Sequence, residues 1–212
     1  NMLEISNSSI DNNNSNTITG TQAGQVAMAQ KNDGNGAYQN DRNKVILTNK
    51  GNISLSGATS TGMYTKFGEI KNDTAGVITM GDNSAAIYAT DDSKIENLGV
   101  INLGEGSTGI YSEADTAAGK TITSTGNVFY GSVLNQGTIQ STGKAIGITY
   151  KGTGSGGASD LRITNDTTGK INLAGVGSVG IYGLGSSYGI SNKGEINLGN
   201  AKLNKITFFA VG

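Results

Sequence analysis

The chain has 212 residues, 34 of them glycine, with 15 basic and 16 acidic side chains and no Cys, Pro, His or Trp. Missing Cys excludes disulfides and thiolate metal centres, and missing His removes the commonest general base and transition-metal ligand, so composition gives no reason to expect a cofactor or a metal. A formal net charge of −1, with Arg42 and Arg162 the only arginines, argues against a nucleic-acid partner, and no apolar run approaches the ~20 residues of a membrane-spanning helix.

Taken in chain order, the sequence repeats one phrase. Seven copies align on Asn7, Asn49, Asn72, Asn97, Asn135, Asn165 and Asn192. The first run of each copy is Ile-x-Asn: Ile5, Leu47, Ile70, Ile95, Ile163 and Ile190 precede their Asn by two, and Leu134 sits one closer. The second run follows a glycine: Ile53/Leu55, Ile78/Met80, Ile101/Leu103, Ile139/Ser141, Ile171/Leu173 and Ile196/Leu198. The third is Met63-Tyr64, Ile87-Tyr88, Ile110-Tyr111, Ile148-Thr149-Tyr150, Ile181-Tyr182 and Ile206-Thr207-Phe208. Copy one is degenerate, with Val26-Ala27-Met28 standing for its third run and no clear second run.

Each run is about four residues long, alternates with period two and is rich in Ile and Tyr, which reads as strand, since a helix needs ~10 or more residues at a 3.6 period. Gly, Asn, Ser and Asp between the runs supply the turns. A repeat of about 25 residues cannot bury its own apolar face and must stack on its neighbours. Three strands per repeat therefore predict an all-β, right-handed parallel β-helix of about seven coils, stacked at ~4.8 Å, with residues 1–212 forming one solenoid segment. Residues 1–44 form a degenerate coil plus loop, and 45–212 the regular coils. The Asn anchors are expected to hydrogen-bond along the axis as in other cross-β ladders. The Gly that follows each is expected to supply a left-handed corner.

Extra length falls at one recurring place, after the third run. The insertions are 29–44, carrying Tyr38 and Arg42; 112–133, carrying Phe129, Tyr130 and a strand-like Thr121-Ile122-Thr123; and 151–160, nearly a Gly/Ser linker. Insertions at one corner project from one edge of a rod and are often its binding face. The longest reads as a small hairpin flap. Alternation turns Tyr64, Tyr88, Tyr111 and Tyr182 outward, either as an aromatic contact stripe or as rings that stabilise adjacent coils by stacking. These residues, with Tyr38, Arg42, Phe129 and Tyr130, are the candidate receptor-binding set.

No catalytic site emerges. Asp91-Asp92, with Glu113 and Asp115 from the next coil, offer oxygens for Ca²⁺, but the chain has neither an EF-hand loop nor a calcium-binding nonapeptide, and solvated turn residues are the simpler reading. There is no Gly-x-Ser-x-Gly elbow, and VGSVGIYGLGSS lacks the helix of a dinucleotide loop. Ice binding would want a flat Thr face. The outward positions of the second run (Asn52/Ser54, Val77/Thr79, Val100/Asn102, Thr138/Gln140, Lys170/Asn172, Glu195/Asn197) are mixed and partly charged.

The phrases GVINLGEGSTGIYSE, NDTTGKINLAGVGSVGIYG and ISNKGEINLGN resemble the passenger repeats of very large fusobacterial type V autotransporter adhesins, over most of residues 45–210. That resemblance implies an extracellular passenger at the bacterial surface, held by a C-terminal outer-membrane barrel outside this segment. It also implies non-catalytic adhesion to host cells or other bacteria through glycan or protein receptors. The chain opens without a signal peptide and opens and closes inside the repeat, which reads as a piece of something longer. The alternatives are a polysaccharide-active β-helix enzyme and a purely structural spacer.

Overall fold

The computed structural model describes residues 3–6, 9–31, 46–114, 124–125, 128–129, 132–152, 161–185 and 188–199. Three seven-stranded sheets account for nearly all of them, and every neighbouring pair of strands runs parallel. The architecture is the expected right-handed parallel β-helix with three faces.

Each face is named here for the residue that marks it. The asparagine sheet stacks Ile10–Asn12, Ile46–Asn49, Glu69–Asn72, Lys94–Asn97, Val133–Asn135, Leu161–Asn165 and Gly189–Asn192. The leucine sheet stacks Thr17–Gly20, Asn52–Leu55, Val77–Met80, Val100–Leu103, Thr138–Ser141, Lys170–Leu173 and Glu195–Asn197. The tyrosine sheet stacks Leu3–Ser6, Val26–Lys31, Thr61–Lys66, Ala85–Thr90, Ser107–Glu113, Ala145–Lys151 and Val179–Leu184. Seven rungs at ~4.8 Å make a rod about 30–35 Å long.

Register explains why the isoleucines recur. Ile53, Ile78, Ile101, Ile139 and Ile171 pair one above the next, and each is at most 1% exposed. Met63, Ile87, Ile110 and Ile148 form a second fully buried column, and Leu47, Ile70 and Ile95 a third. Each such side chain stabilises the fold by ~1.5–3 kcal/mol on burial. One coil alone would leave its three columns in water, so stability belongs to the stack.

The asparagines form the expected ladder. Asn12 Nδ2 donates to Asn49 Oδ1 at 2.8 Å, and the same bond repeats from Asn49 to Asn72, Asn97, Asn135, Asn165 and Asn192 at 2.8–2.9 Å. The second amide hydrogen is also used at the corner, where Asn72, Asn135 and Asn165 donate to the carbonyls of Gly76, Gly137 and Gly169. The five central asparagines have no exposed surface. A buried amide left unpaired costs ~1–3 kcal/mol, so Asn is fixed there by its neighbours above and below.

Three expectations need correction. Copy one is anchored by Asn12, not Asn7. Ile10–Asn12 pairs with Leu47–Asn49, while Leu3–Ser6 lies in the tyrosine sheet beside Met28–Lys31. The second run of that copy is Thr17–Gly20, with Ile18 opposite Ile53. In copy five the inward residue is Val133, in register with Ile95 and Ile163, and Leu134 faces outward, so that copy is not shortened. The third concerns the corner glycines. The glycines after the asparagines are not left-handed; the described positive-φ glycines are Gly24, Gly106, Gly177, Gly185 and Gly199. A Cβ at Gly99 would instead strike the carbonyl oxygen of Gly76 one coil away, and one at Gly137 that of Gly99. Gly is required there because successive corners touch backbone to backbone. Left-handed backbone occurs at the next corner, at Thr59, Asn83, Gly106 and Gly177.

Candidate functional site

The tyrosine strands end at a common edge. Three of them run to Lys31, Glu113 and Lys151, and the asparagine sheet resumes at Ile46, Val133 and Leu161, so all three insertions leave the rod at one corner. The strands include residues 29–31, 112–113 and 151, so the inserted segments begin slightly later than expected. The flap contains a short antiparallel hairpin, with Ser124 opposite Phe129 and Thr125 opposite Val128. Tyr38, Arg42, Tyr130, Asp115 and Thr121–Thr123 lie outside the described residues, as does the third run expected at Ile206–Phe208.

Beside this edge stand the candidate tyrosines. Tyr64, Tyr88 and Tyr111 are in register and half-buried, on the outer surface of the tyrosine sheet. Tyr88 and Tyr111 stack with ring centroids 4.7 Å apart and planes 9° apart, and Tyr64 and Tyr88 at 5.9 Å and 25°. Both faces of Tyr88 therefore meet another ring, and its rim and hydroxyl are what it presents outward. Tyr182 is separated from this stack by Thr149. Tyr111 Oη donates to Glu113 Oε2 at 2.8 Å, which fixes the last ring against the insertion edge. Burial, then the hydrogen bond and charge of Glu113, push the Tyr111 phenol well above its usual range. Burial, then Glu113, raise Tyr88 in the same direction.

The acidic residues of this corner are engaged. Asp91 faces Lys66 at 3.7 Å, and Asp92 lies 3.5 Å from the Arg162 guanidinium. Both members of the latter pair are 6% exposed, unlike the surface pairs. The Asp92 backbone N–H donates to the Glu113 carbonyl, which joins the base of the flap to the corner one coil earlier. Among the described residues no group of three or more His, Cys, Asp or Glu could hold a metal ion.

Sequence reasoning missed two arrangements. On the outer surface of the asparagine sheet, Lys94 sits 3.3 Å from Glu69 and 3.2 Å from Glu96. Burial pulls the Lys94 ammonium down, but its two carboxylates outweigh that and hold it above its ordinary value, so it stays charged between them. Burial raises Glu69. The alternating charges of Glu69, Lys94 and Glu96 were visible in the sequence once the strands were placed in register.

The second arrangement is a groove of about 560 Å³ on the leucine sheet. Its lining includes the in-register carboxamides Asn102, Gln140, Asn172 and Asn197, with Ser141, Thr142, Leu103, Leu173, Ala174 and Gly199 beside them. Among the described residues no charged side chain lines it. Gln140 Nε2 donates to Asn102 Oδ1 at 2.8 Å, Asn102 Nδ2 to Thr79 Oγ1 at 3.1 Å, and Asn197 Nδ2 to Asn172 Oδ1 at 2.8 Å. The outward alternation of this sheet named these amides, but only the register shows that they line one groove. Compared with known proteins, the chain matches no family model, no curated protein and no solved structure.

Proposed function

We propose that this chain is a segment of a non-catalytic bacterial surface adhesin, a stiff rod that presents binding elements along one edge. The observation that carries the reading is the common corner from which all three insertions leave, with the Tyr64–Tyr88–Tyr111 stack beside it. A rigid ladder that spaces several loops on one edge suits multivalent contact, in which modest individual affinities multiply. The tyrosine rims and hydroxyls offer amphipathic contact area at low entropy cost. The sequence resemblance to autotransporter passengers supports the same reading and an extracellular location at the bacterial surface. A polysaccharide-cleaving enzyme is less well supported, because hydrolysis of a glycosidic bond generally uses two carboxyl groups across the substrate and the described lining of the groove has none.

Beads coated with the chain should adhere to host cells or to other bacteria. A variant lacking 115–131, bridged by a short linker, should adhere several-fold less while keeping its β-type circular dichroism. No adhesion by the intact chain to any such surface overturns the proposal. Full adhesion after the deletion assigns 115–131 a spacer role and moves binding to the other insertions.

A further inference from the structure

The groove lies on the leucine sheet, whereas the insertions leave between the tyrosine and asparagine sheets. We infer that it binds a neutral polysaccharide chain lying along the rod axis. Three observations lead there.

The first is charge. The described lining carries no charged side chain, and in the adjacent outward column Lys170 lies directly opposite Glu195, so those two charges offset each other. An acidic polysaccharide or nucleic acid would have to give up its hydration without a cation in the described lining in return.

The second is periodicity. Asn102, Gln140, Asn172 and Asn197 occupy successive rungs, so a carboxamide recurs every ~4.8 Å. That interval is close to the length one pyranose adds to an extended glycan. A chain laid parallel to the axis keeps its hydroxyls in step with the amides, whereas one laid along a single strand meets only one amide.

The third is a gap in the hydrogen bonding. Gln140 bonds back to Asn102, and Asn197 bonds back to Asn172, but among the described residues no side-chain bond joins Gln140 to Asn172. On these two adjacent rungs an acceptor, Gln140 Oε1, and a donor, Asn172 Nδ2, are therefore left over from the side-chain bonds. A sugar hydroxyl is both donor and acceptor, and fits by donating to the first and accepting from the second. Beside the amides, Ala174 is the exposed apolar side chain of the groove and receives a C–H face of the ring. This is binding without chemistry, and it rests on the rod being a non-catalytic binder.

The test is native electrophoresis through gels containing hydroxyethylcellulose, dextran or galactomannan, with polygalacturonate as the acidic control. At least one neutral polymer should retard the chain, and polygalacturonate should not. Gln140→Ala and Asn172→Ala should each weaken retardation about five- to tenfold, the loss of one or two hydrogen bonds. Ser54→Ala, in the same outward column but outside the groove, should leave it unchanged. Both amides are on the surface, and unchanged circular dichroism will confirm that the variants fold. Retardation by no neutral polymer, equal retardation by polygalacturonate, or full retardation of the double variant overturns the inference. Release of new reducing ends from a retarding polymer overturns the non-catalytic reading instead. Retardation kept after removal of 115–131, with cell adhesion lost, shows the groove and the edge to be separate sites.

Discussion

Seven asparagines within the asparagine sheet and four carboxamides on the outside of the leucine sheet stack at the same interval. Yet only the inner set forms an unbroken chain of hydrogen bonds. The difference is burial. The five central inner amides, Asn49 to Asn165, have no exposed surface, so a missing partner there leaves an unsatisfied polar group and each of those coils must supply Asn. The outer amides exchange protein partners for solvent at little cost. That column therefore admits Thr79, Gln140 and a broken rung. The tyrosine stack lies between these extremes, half-covered and fixed by ring contact and one carboxylate. Identical chemistry specifies the fold where it is dry and is free to recognise a ligand where it is wet.

Four experiments would break or sharpen that contrast. The largest effect is expected from Asn97→Asp. It removes the donor to Asn135 and places a charge where no surface is exposed, costing about 4 kcal/mol in denaturant unfolding. A loss below about 1 kcal/mol would mean that the ladder does not hold the coils. Arg162→Met comes next. It takes the buried cation from Asp92 and should cost about 3 kcal/mol, with protease cleavage rising first near the flap. Cleavage unchanged from the parent would show the pair to be dispensable.

The tyrosine stack is tested by alkali. The Tyr88 and Tyr111 phenols are raised in the folded chain, so the unfolded chain ionises first. Their contribution is complete below a pH of about 10 and declines as the pH climbs from there toward the folded values. Tyr111→Phe should remove part of that alkaline loss, and Glu113→Gln should let the Tyr111 phenolate absorbance appear at lower pH. A single titration at the ordinary tyrosine value in the parent would contradict the stacked geometry. The smallest effect belongs to Asn102→Ala, outside the rod, which should change stability by less than about 0.5 kcal/mol. A cost like that of Asn97→Asp would erase the contrast.

Most of the fold could be read from the repeat, because solenoid stacking turns sequence periodicity directly into spatial register. Ile78, Ile101 and Ile171 share one column because each follows its Asn by one of two intervals, four residues or six, set by the short and long forms of the corner. The error at Asn7 shows the limit of a three-residue motif. Both Ile5-Ser6-Asn7 and Ile10-Asp11-Asn12 fit Ile-x-Asn. The interval to Ile18 decides between them, since Ile78 follows Asn72 and Ile171 follows Asn165 by the same six residues that separate Ile18 from Asn12. Val133 was missed because Leu134 is the bulkier residue, although the pleat and not side-chain size sets which one faces inward. The corner glycines were recognised for the wrong reason, because close approach between coils is a three-dimensional fact that local turn preference does not express. The groove and the Lys94 cluster were less legible still, since each draws residues from several coils and depends on which outward columns lie side by side.

The asparagine ladder has a direction. Every amide donates toward the C-terminal neighbour and accepts from the N-terminal one, so a reversed coil would bring donor to donor or acceptor to acceptor. The rod is therefore vectorial, and any coil added or excised must be a whole unit in the same sense. Asp73–Asn97 is such a cassette: its removal would seat Asn72 directly beneath Asn135 and shorten the reach by one rung, keeping the amide junction while giving up the Asp92–Arg162 pair and the Tyr88 ring. Length in this architecture is thus a dial that copying or dropping coils can turn, with the column of buried amides rejoined each time.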